Sequence, residues 1–158
     1  EHDGAVYMRF GRLAVEDVNP ADYKFELGKG VQLKDGKDVS IIATGLMVQE
    51  ALKAADALAA EGINARVINI HTIKPIDEEI IINAAKETGA IVTAEEHYIM
   101  GGLGSAVTEV VCANEPCPVK IIGTDRYGCS GKPAELFKAY GLTAENIIVK
   151  AKEAIAMK

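Results

Sequence analysis

The residues with the greatest capacity for chemistry lie in one stretch, residues 94–107, which reads AEEHYIMGGLGSAV. Glu95, Glu96 and His97 could transfer protons, because a carboxylate beside an imidazole is a common acid–base pair. Consecutive residues of a strand point to opposite faces, however, so these three side chains cannot all converge on one substrate. We therefore favour polar contacts at a surface or subunit interface over catalysis for this cluster.

Three glycines follow these residues, and they admit two interpretations. Gly101, Gly102 and Gly104 stand at the start of a predicted helix, where main-chain N–H groups and the helix dipole could hold a phosphate. The spacing matches neither GxGxxG nor GxxxxGK[ST], the two common nucleotide-binding signatures. The favoured interpretation is a tight turn that lets the helix pack closely against the sheet.

Other candidate groups lie at the ends of predicted strands. His71 follows the strand ARVINI beside Thr72, and we interpret it as a polar residue at a strand tip rather than a base. Asp125 and Arg126 belong to a polar turn, where Arg126 could hold an anion but is better explained as a solvated or interface arginine. Ser105 lacks a GxSxG frame, so nucleophilic catalysis is not indicated.

Composition excludes several classes of protein. The formal charge is −6 and the basic residues are scattered, which argues against binding to nucleic acid or to a membrane surface. No apolar run reaches the roughly 20 residues that span a bilayer, and the first residues do not read as a secretory signal. Cys112, Cys117 and Cys129 lack metal-binding spacing, so we expect three reduced cysteines in a cytoplasmic protein and no metal site.

Strand and helix patterns alternate along most of the chain and position these groups. The alternation predicts a three-layer α/β/α fold with a mostly parallel five-stranded sheet. The pair Asp35-Gly36 is a tight-turn signal, so the strand before it is predicted to be antiparallel. The predicted strands are 31–33, 40–44, 65–70, 91–93 and 119–122; the predicted helices are 47–60, 75–88, 105–113, 133–137 and one that begins after Thr143.

Residues 1–20 differ from the rest of the chain. The run AVYMRF at 5–10 predicts a single strand without a local partner, and a linker around Pro20 follows it. A strand without a partner is expected at the end of a neighbouring domain. The sequence therefore predicts a remnant of such a domain at 1–20 and one complete domain at 21–158.

Three segments together resemble the C-terminal domain of thiamine-diphosphate-dependent transketolases. They are TIKPID at 72–77, the acidic and glycine segment at 94–107, and DRYGCSGKPAELFKAYGL at 125–142. The segment GAVYMRFGR at 4–12 also resembles the last strand of the pyrimidine-binding domain that precedes this domain in such enzymes. The resemblance is greatest to the type of enzyme that is split into two polypeptides.

The resemblance implies a part in ketol transfer between sugar phosphates, the transketolase step of the pentose phosphate pathway. Thiamine diphosphate and its magnesium ion would bind to other domains, so no cofactor and no catalytic residue is expected in this chain. Arg9 or Arg12 would contact the substrate's phosphate, which suits the bidentate fork of a guanidinium group. The domain itself would support the catalytic domains and contribute homodimer contacts, with the N-terminal subunit as its partner.

Two alternatives stay open. The C-terminal domains of 1-deoxyxylulose-phosphate synthase and of the beta subunit of 2-oxoacid dehydrogenases share the KP-[hydrophobic]-D and glycine segments, although the ending at 126–143 resembles transketolase. A stand-alone module could instead bind a small anion at the strand tips near Gly45, Gly101 and Asp125.

Overall fold

The computed structural model describes residues 2–158, in which ten strands and helices follow an irregular N-terminal segment. Glu1, the first residue of the predicted domain remnant, lies outside the described residues. The strands are β1 (Val31–Lys34), β2 (Val39–Ala43), β3 (Ala65–Asn69), β4 (Ile91–Tyr98) and β5 (Val119–Thr124). The helices are α1 (Met47–Ala60), α2 (Glu78–Thr88), α3 (Leu103–Asn114), α4 (Pro133–Ala139) and α5 (Ala144–Ile155).

The sheet has the strand order β1-β3-β2-β4-β5, and only β1 runs antiparallel to its neighbour among the described strands. This confirms the predicted α/β class with its mostly parallel five-stranded sheet and one antiparallel strand. The tight turn at Asp35-Gly36 does not pair β1 with β2, however, because both edges of β2 are occupied by β3 and β4. β1 instead pairs with β3, with Val31 opposite Asn69.

Helices cover both faces of the sheet, as the strand alternation predicts. Side chains of β2 alternate between the two layers, so that Ile41 faces α1 and α5 while Ile42 faces α2 and α3. The first layer is filled by Met47, Leu58, Val67, Ile147 and Ala151, among others. The second contains Ile68, Ile81, Ile91, Leu103 and Val107. None of the helices within residues 2–158 combines the length and apolar composition that crossing a bilayer requires.

Capping residues fix the N-termini of two helices, α5 where the sequence predicts it and α2 three residues later than predicted. Asp77 precedes α2 and its Oδ1 accepts a hydrogen bond from the N–H of Ile80, while Thr143 caps α5 through the N–H of Asn146. Gly89 ends α2 in the left-handed conformation, with a φ of 65°. The end of α2 at Gly89 and the start of α5 after Thr143 are as predicted, whereas α2 begins at Glu78 rather than at Pro75 because Asp77 is its N-cap.

The end of β4 lies later than predicted, at Tyr98 rather than at Thr93. Tyr98 pairs with Thr124 of β5 after an irregularity in the register, and the N–H of Ile99 donates to the carbonyl of Thr124 at 2.9 Å. The partner strand thus extends β4 through Glu95, Glu96 and His97. Helix α3 also begins earlier than predicted, at Leu103, which places Gly104 inside the helix.

The strand predicted at residues 5–10 stays a prediction, because the neighbouring domain to which it is assigned is not among the described residues. Residues 5–10 have no regular secondary structure, and their side chains are exposed, with Tyr7 at 88% and Phe10 at 81%. A strand needs a hydrogen-bonded neighbour, and no strand of residues 2–158 pairs with this segment. Residues 5–10 therefore do not join the sheet of this domain.

Candidate functional site

The carboxyl ends of β2, β3 and β4 meet where the chain order of the sheet reverses. The chain goes from central β2 to β3 on one side and then crosses to β4 on the other, and open α/β sheets bind ligands at such a position. The N-terminal segment passes over this edge. Together with Thr44, Asn69 and Glu96, residues 9–11, 13 and 15–21 line a cavity of about 740 Å³, whereas Arg12 is not part of its lining.

Glu95 is the most constrained polar residue of this edge. It lies on the face of β4 that packs against α3, and only 5% of the residue is exposed. Its Oε2 accepts a hydrogen bond from the N–H of Leu103 at 2.7 Å, and its Oε1 lies 3.1 Å from Nη2 of Arg9. A carboxylate at the N-terminus of a helix interacts favourably with the helix dipole. Glu95 thereby caps α3, whose preceding residue, Gly102, has no side chain to do so.

The three glycines each have a reason in the packing. A Cβ on Gly102 would overlap the carboxylate of Glu95, and a Cβ on Gly104 would lie 2.6 Å from Cγ2 of Ile121. Gly101 has a φ of +81°, a main-chain conformation that is unfavourable for residues with a Cβ atom. The helix N–H group of Leu103, which a phosphate would use, already donates to Glu95. This geometry supports the tight-turn interpretation over the phosphate cradle.

Glu96 and His97 do not join Glu95 in an acid–base pair. Both residues are exposed, and among the described residues no hydrogen bond links His97 to either glutamate. The Nδ1 of His97 instead accepts from the N–H of Tyr98 at 2.5 Å. Ser105 has a local role as well, since its Oγ accepts a hydrogen bond from the N–H of Gly101 at 2.8 Å.

The two arginine candidates have different surroundings. The guanidinium of Arg9 donates to Glu95 through Nη2 and to the main-chain oxygen of Glu96 through Nη1, the latter at 3.0 Å. Arg12 is exposed and makes no hydrogen bond or ion pair with any other residue of 2–158. Arg12 is therefore the arginine whose guanidinium is available to a ligand.

Asp125 and Arg126 form a separate cluster after β5. The guanidinium of Arg126 lies 4.8 Å from the ring centroid of Tyr140, and its Nη2 donates to the carbonyl of Ala139 at 2.5 Å. Asp125 approaches Nη1 of Arg126 at 4.0 Å, and both side chains are largely exposed. Arg126 thus connects the loop before α4 with the end of that helix.

A polar network that the sequence does not predict surrounds His71. Its Nε2 lies 3.0 Å from the hydroxyl of Tyr23, its Nδ1 lies 2.8 Å from Oγ1 of Thr72, and the ring of Phe25 packs at 4.6 Å between centroids. Burial lowers the pKa of His71 from its ordinary value. Asn69, 8% exposed and lining the cavity, was also missed, although it is the only amide within the strand ARVINI.

The described residues do not fit a diphosphate with its metal ion. Within residues 2–158 no three His, Cys, Asp or Glu side chains are grouped so that they could hold a metal, and the N-terminus of α3 is occupied by Glu95. Cys112, Cys117 and Cys129 are free thiols.

Comparisons with known proteins agree with this architecture. Residues 28–147 match the family described as transketolase, C-terminal domain. The chain is similar to the 6-deoxy-6-sulfo-D-fructose transketolase subunit SqwH of Clostridium sp. (strain MSTE9), at 45% identity over 158 residues, covering 99% of this chain and 49% of that protein. The chain belongs to the transketolase C-terminal domain family, and it spans about half the length of this curated relative.

Two further similarities bear on the type of enzyme. A solved structure titled "Split gene transketolase, inactive beta4 tetramer" superimposes with a TM-score of 0.90 at 46% identity, covering 93% of this chain and 48% of that one. The 1-deoxy-D-xylulose-5-phosphate synthase of Heliobacterium modesticaldum (strain ATCC 51547 / Ice1) is 47% identical over 157 residues, covering 97% of this chain and 24% of that protein. Transketolases and 1-deoxyxylulose-5-phosphate synthases are thus both similar to this chain.

Proposed function

We propose that this chain is the C-terminal part of the second subunit of a split transketolase, inactive by itself. Its role in ketol transfer between sugar phosphates is to support the catalytic domains and to contribute homodimer contacts. The observation that carries the proposal is the 45% identity to a transketolase subunit over 99% of the chain, together with the TM-score of 0.90 to a split transketolase.

The geometry at the end of β4 favours a structural role over a catalytic one. Glu95 is buried and satisfied by Leu103 and Arg9, so its carboxylate is not presented to a substrate. Glu96 and His97 are exposed and are not joined to it. The thiamine diphosphate and magnesium ion of the parent enzyme would therefore be held by its other domains.

We further propose that residues 1–20 belong to the adjoining pyrimidine-binding domain and that residues 21–158 form the C-terminal domain. Tyr7, Met8 and Phe10 expose 88%, 69% and 81% of their surface, which is unusual for a cluster of large apolar side chains and suits a surface covered by another domain. Tyr23, the first aromatic residue after this boundary, contacts His71 through its hydroxyl, whereas within residues 2–20 the apolar packing on the core of the domain comes from Val18. Arg12, with its free guanidinium, would then contact the phosphate of the substrate.

The second candidate function is a domain of 1-deoxyxylulose-5-phosphate synthase, which the 47% identity to the Heliobacterium enzyme supports. The two candidates differ in the product that the assembled enzyme releases. The chain would be joined to its pyrimidine-binding domain, combined with the N-terminal subunit, and supplied with thiamine diphosphate, magnesium, ketose and aldose phosphates, and pyruvate, which could donate the two-carbon unit of 1-deoxy-D-xylulose 5-phosphate with loss of carbon dioxide. The phosphorylated products would be separated by chromatography. We expect the products of ketol transfer between sugar phosphates. Formation of 1-deoxy-D-xylulose 5-phosphate instead would overturn the proposal in favour of the synthase.

A further inference from the structure

The N-terminal segment, residues 2–17, has few polar contacts with the folded domain. Within these residues, the hydrogen bonds to the rest of the chain come from the guanidinium of Arg9 and from the N–H of Glu16, which donates to Oε1 of Gln49 at 3.4 Å. The side chains of the segment are otherwise exposed. Arg9 is therefore the principal polar anchor of this segment.

We propose that Glu95 is a positioning residue, which fixes residues 2–17 to the carboxyl edge of the sheet through Arg9. This inference rests on the proposed function, because the adjoining catalytic domain would be held in place by the same contact. Glu95 would act on catalysis only through Arg9 and the segment, without touching substrate or cofactor.

The contact is specific because both partners are held in defined orientations. One carboxylate oxygen of Glu95 is fixed by the N–H of Leu103, which leaves the other directed at Nη2 of Arg9. The same guanidinium reaches the carbonyl of Glu96 with Nη1, so a planar fork engages two acceptors at once. A lysine has no such fork and could not reproduce both bonds. Since Glu95 is buried, loss of Arg9 would leave a carboxylate without one of its partners.

The anchor also determines where Arg12 lies. Arg12 is three positions after Arg9, and a chain advances by about 10 Å at most over three extended residues. Arg12 is thereby held near the edge of the sheet while its guanidinium stays free. The pair Glu95 and Arg9 would thus orient the phosphate-binding arginine of the proposed enzyme.

A fluorescence experiment tests the anchor in this chain. The sequence contains no tryptophan, so a Phe10→Trp variant carries one emitter next to Arg9. We expect Arg9→Gln and Glu95→Gln in this background to lower the tryptophan anisotropy, and the double variant to lower it no further than either single change. Arg12→Gln and Glu96→Gln are the matched controls and should leave the anisotropy unchanged. An unchanged anisotropy in Arg9→Gln, with a native circular dichroism spectrum, would overturn the anchor; this variant alters only an exposed segment, so it keeps the test valid if Glu95→Gln fails to fold.

Kinetics of the assembled enzyme test the link to catalysis. We expect Arg9→Gln and Arg9→Lys to lower kcat/KM about tenfold, since small misplacements of binding groups have effects of this size or larger. Arg12→Gln should raise KM for phosphorylated substrates while leaving the anisotropy of the segment unchanged. If Arg9→Gln lowered the anisotropy but left the kinetics unaltered, the positioning role in catalysis would be overturned, while the anchoring of the segment would still be supported. If the assembled enzyme showed no ketol transfer, the proposed function would fail, whereas the anisotropy would still decide whether Glu95 anchors the segment.

Discussion

The N–H of Leu103 donates a hydrogen bond of 2.7 Å to Oε2 of Glu95, eight residues earlier in the chain. This bond joins the end of β4 to the start of α3 and closes the turn that contains Gly101 and Gly102. The carboxylate occupies the position at the helix N-terminus that an anionic ligand would take. The most conspicuous motif of the sequence thus has a structural explanation in which Glu95 is the central residue.

Replacement of Glu95 by alanine is expected to destabilise the domain. The variant removes a buried acceptor and leaves the N–H of Leu103 without its partner, which costs about 1–3 kcal/mol of unfolding free energy. Urea unfolding followed by circular dichroism measures the change. Glu96→Ala, on the exposed side of the same strand, should stay within about 0.5 kcal/mol of the parent. Equal losses in the two variants would contradict the capping role.

Gly104→Ala is expected to disturb the packing of α3 on the sheet. The added methyl group would lie 2.6 Å from Cγ2 of Ile121, so the Ile121 side chain, the helix or the strand must shift, at a cost of about 1–3 kcal/mol. For a chain of this size, each kcal/mol lowers Tm by about 2–4 °C. Gly128→Ala is the control, because a Cβ there meets nothing within 4 Å. A Gly104→Ala protein with the same Tm as the parent would show that the close approach of α3 to Ile121 is not needed.

The stability of the domain should depend on the protonation of His71. Burial lowers its pKa below the ordinary 6.5, and this outweighs the hydrogen bond to the main chain of Lys29, which acts in the opposite direction. The native state therefore favours the neutral imidazole, so the contribution of His71 to stability is complete above pH 6.5 and is lost as the pH falls through the lowered pKa. Unfolding free energies between pH 8 and pH 5, compared with those of His71→Gln, should converge at the acidic end. His2→Gln, in the exposed segment, should follow the parent; a pH profile of His71→Gln parallel to that of the parent would refute the linkage.

Cofactor and anions are expected to leave the melting temperature of the isolated chain unchanged. The described residues do not group three metal ligands, and the N-terminus of α3 is occupied by Glu95. Thermal-shift measurements would use thiamine diphosphate with magnesium, and separately inorganic phosphate. A saturable rise of Tm with ligand concentration would indicate a site in this chain. Such a rise with phosphate alone would support the anion-binding module over the proposed function.

Local signals predicted the helices better than they predicted the contacts between distant segments. The capping side chains of Asp77 and Thr143 act within three residues, so their roles can be inferred from short patterns. The pairing of β1 with β3 depends on which strand edge is free, and the extension of β4 depends on Thr124 of β5. Neither the pairing of β1 nor the extension of β4 can be inferred from the residues of that strand alone.

The site could be predicted only in part for the same reason. The motif at 94–107 lies at the carboxyl end of β4, and Glu95 is buried while Glu96 is exposed, as the alternation of side chains predicts; its role at an interface stays a prediction. The contact between Arg9 and Glu95 joins residues 86 positions apart, and the one between Tyr23 and His71 spans 48 positions. These contacts exist because the N-terminal segment crosses the edge of the sheet, which no local pattern encodes.

The central claim is that the catalytic groups lie outside this chain. The most direct test is a ketol transfer assay with thiamine diphosphate and magnesium, on the purified chain and on the chain joined to its pyrimidine-binding domain and combined with the N-terminal subunit. We predict no turnover above the protein-free blank for the chain alone and turnover for the assembled enzyme. Ketol transfer by the chain with the cofactor and metal only would contradict the account.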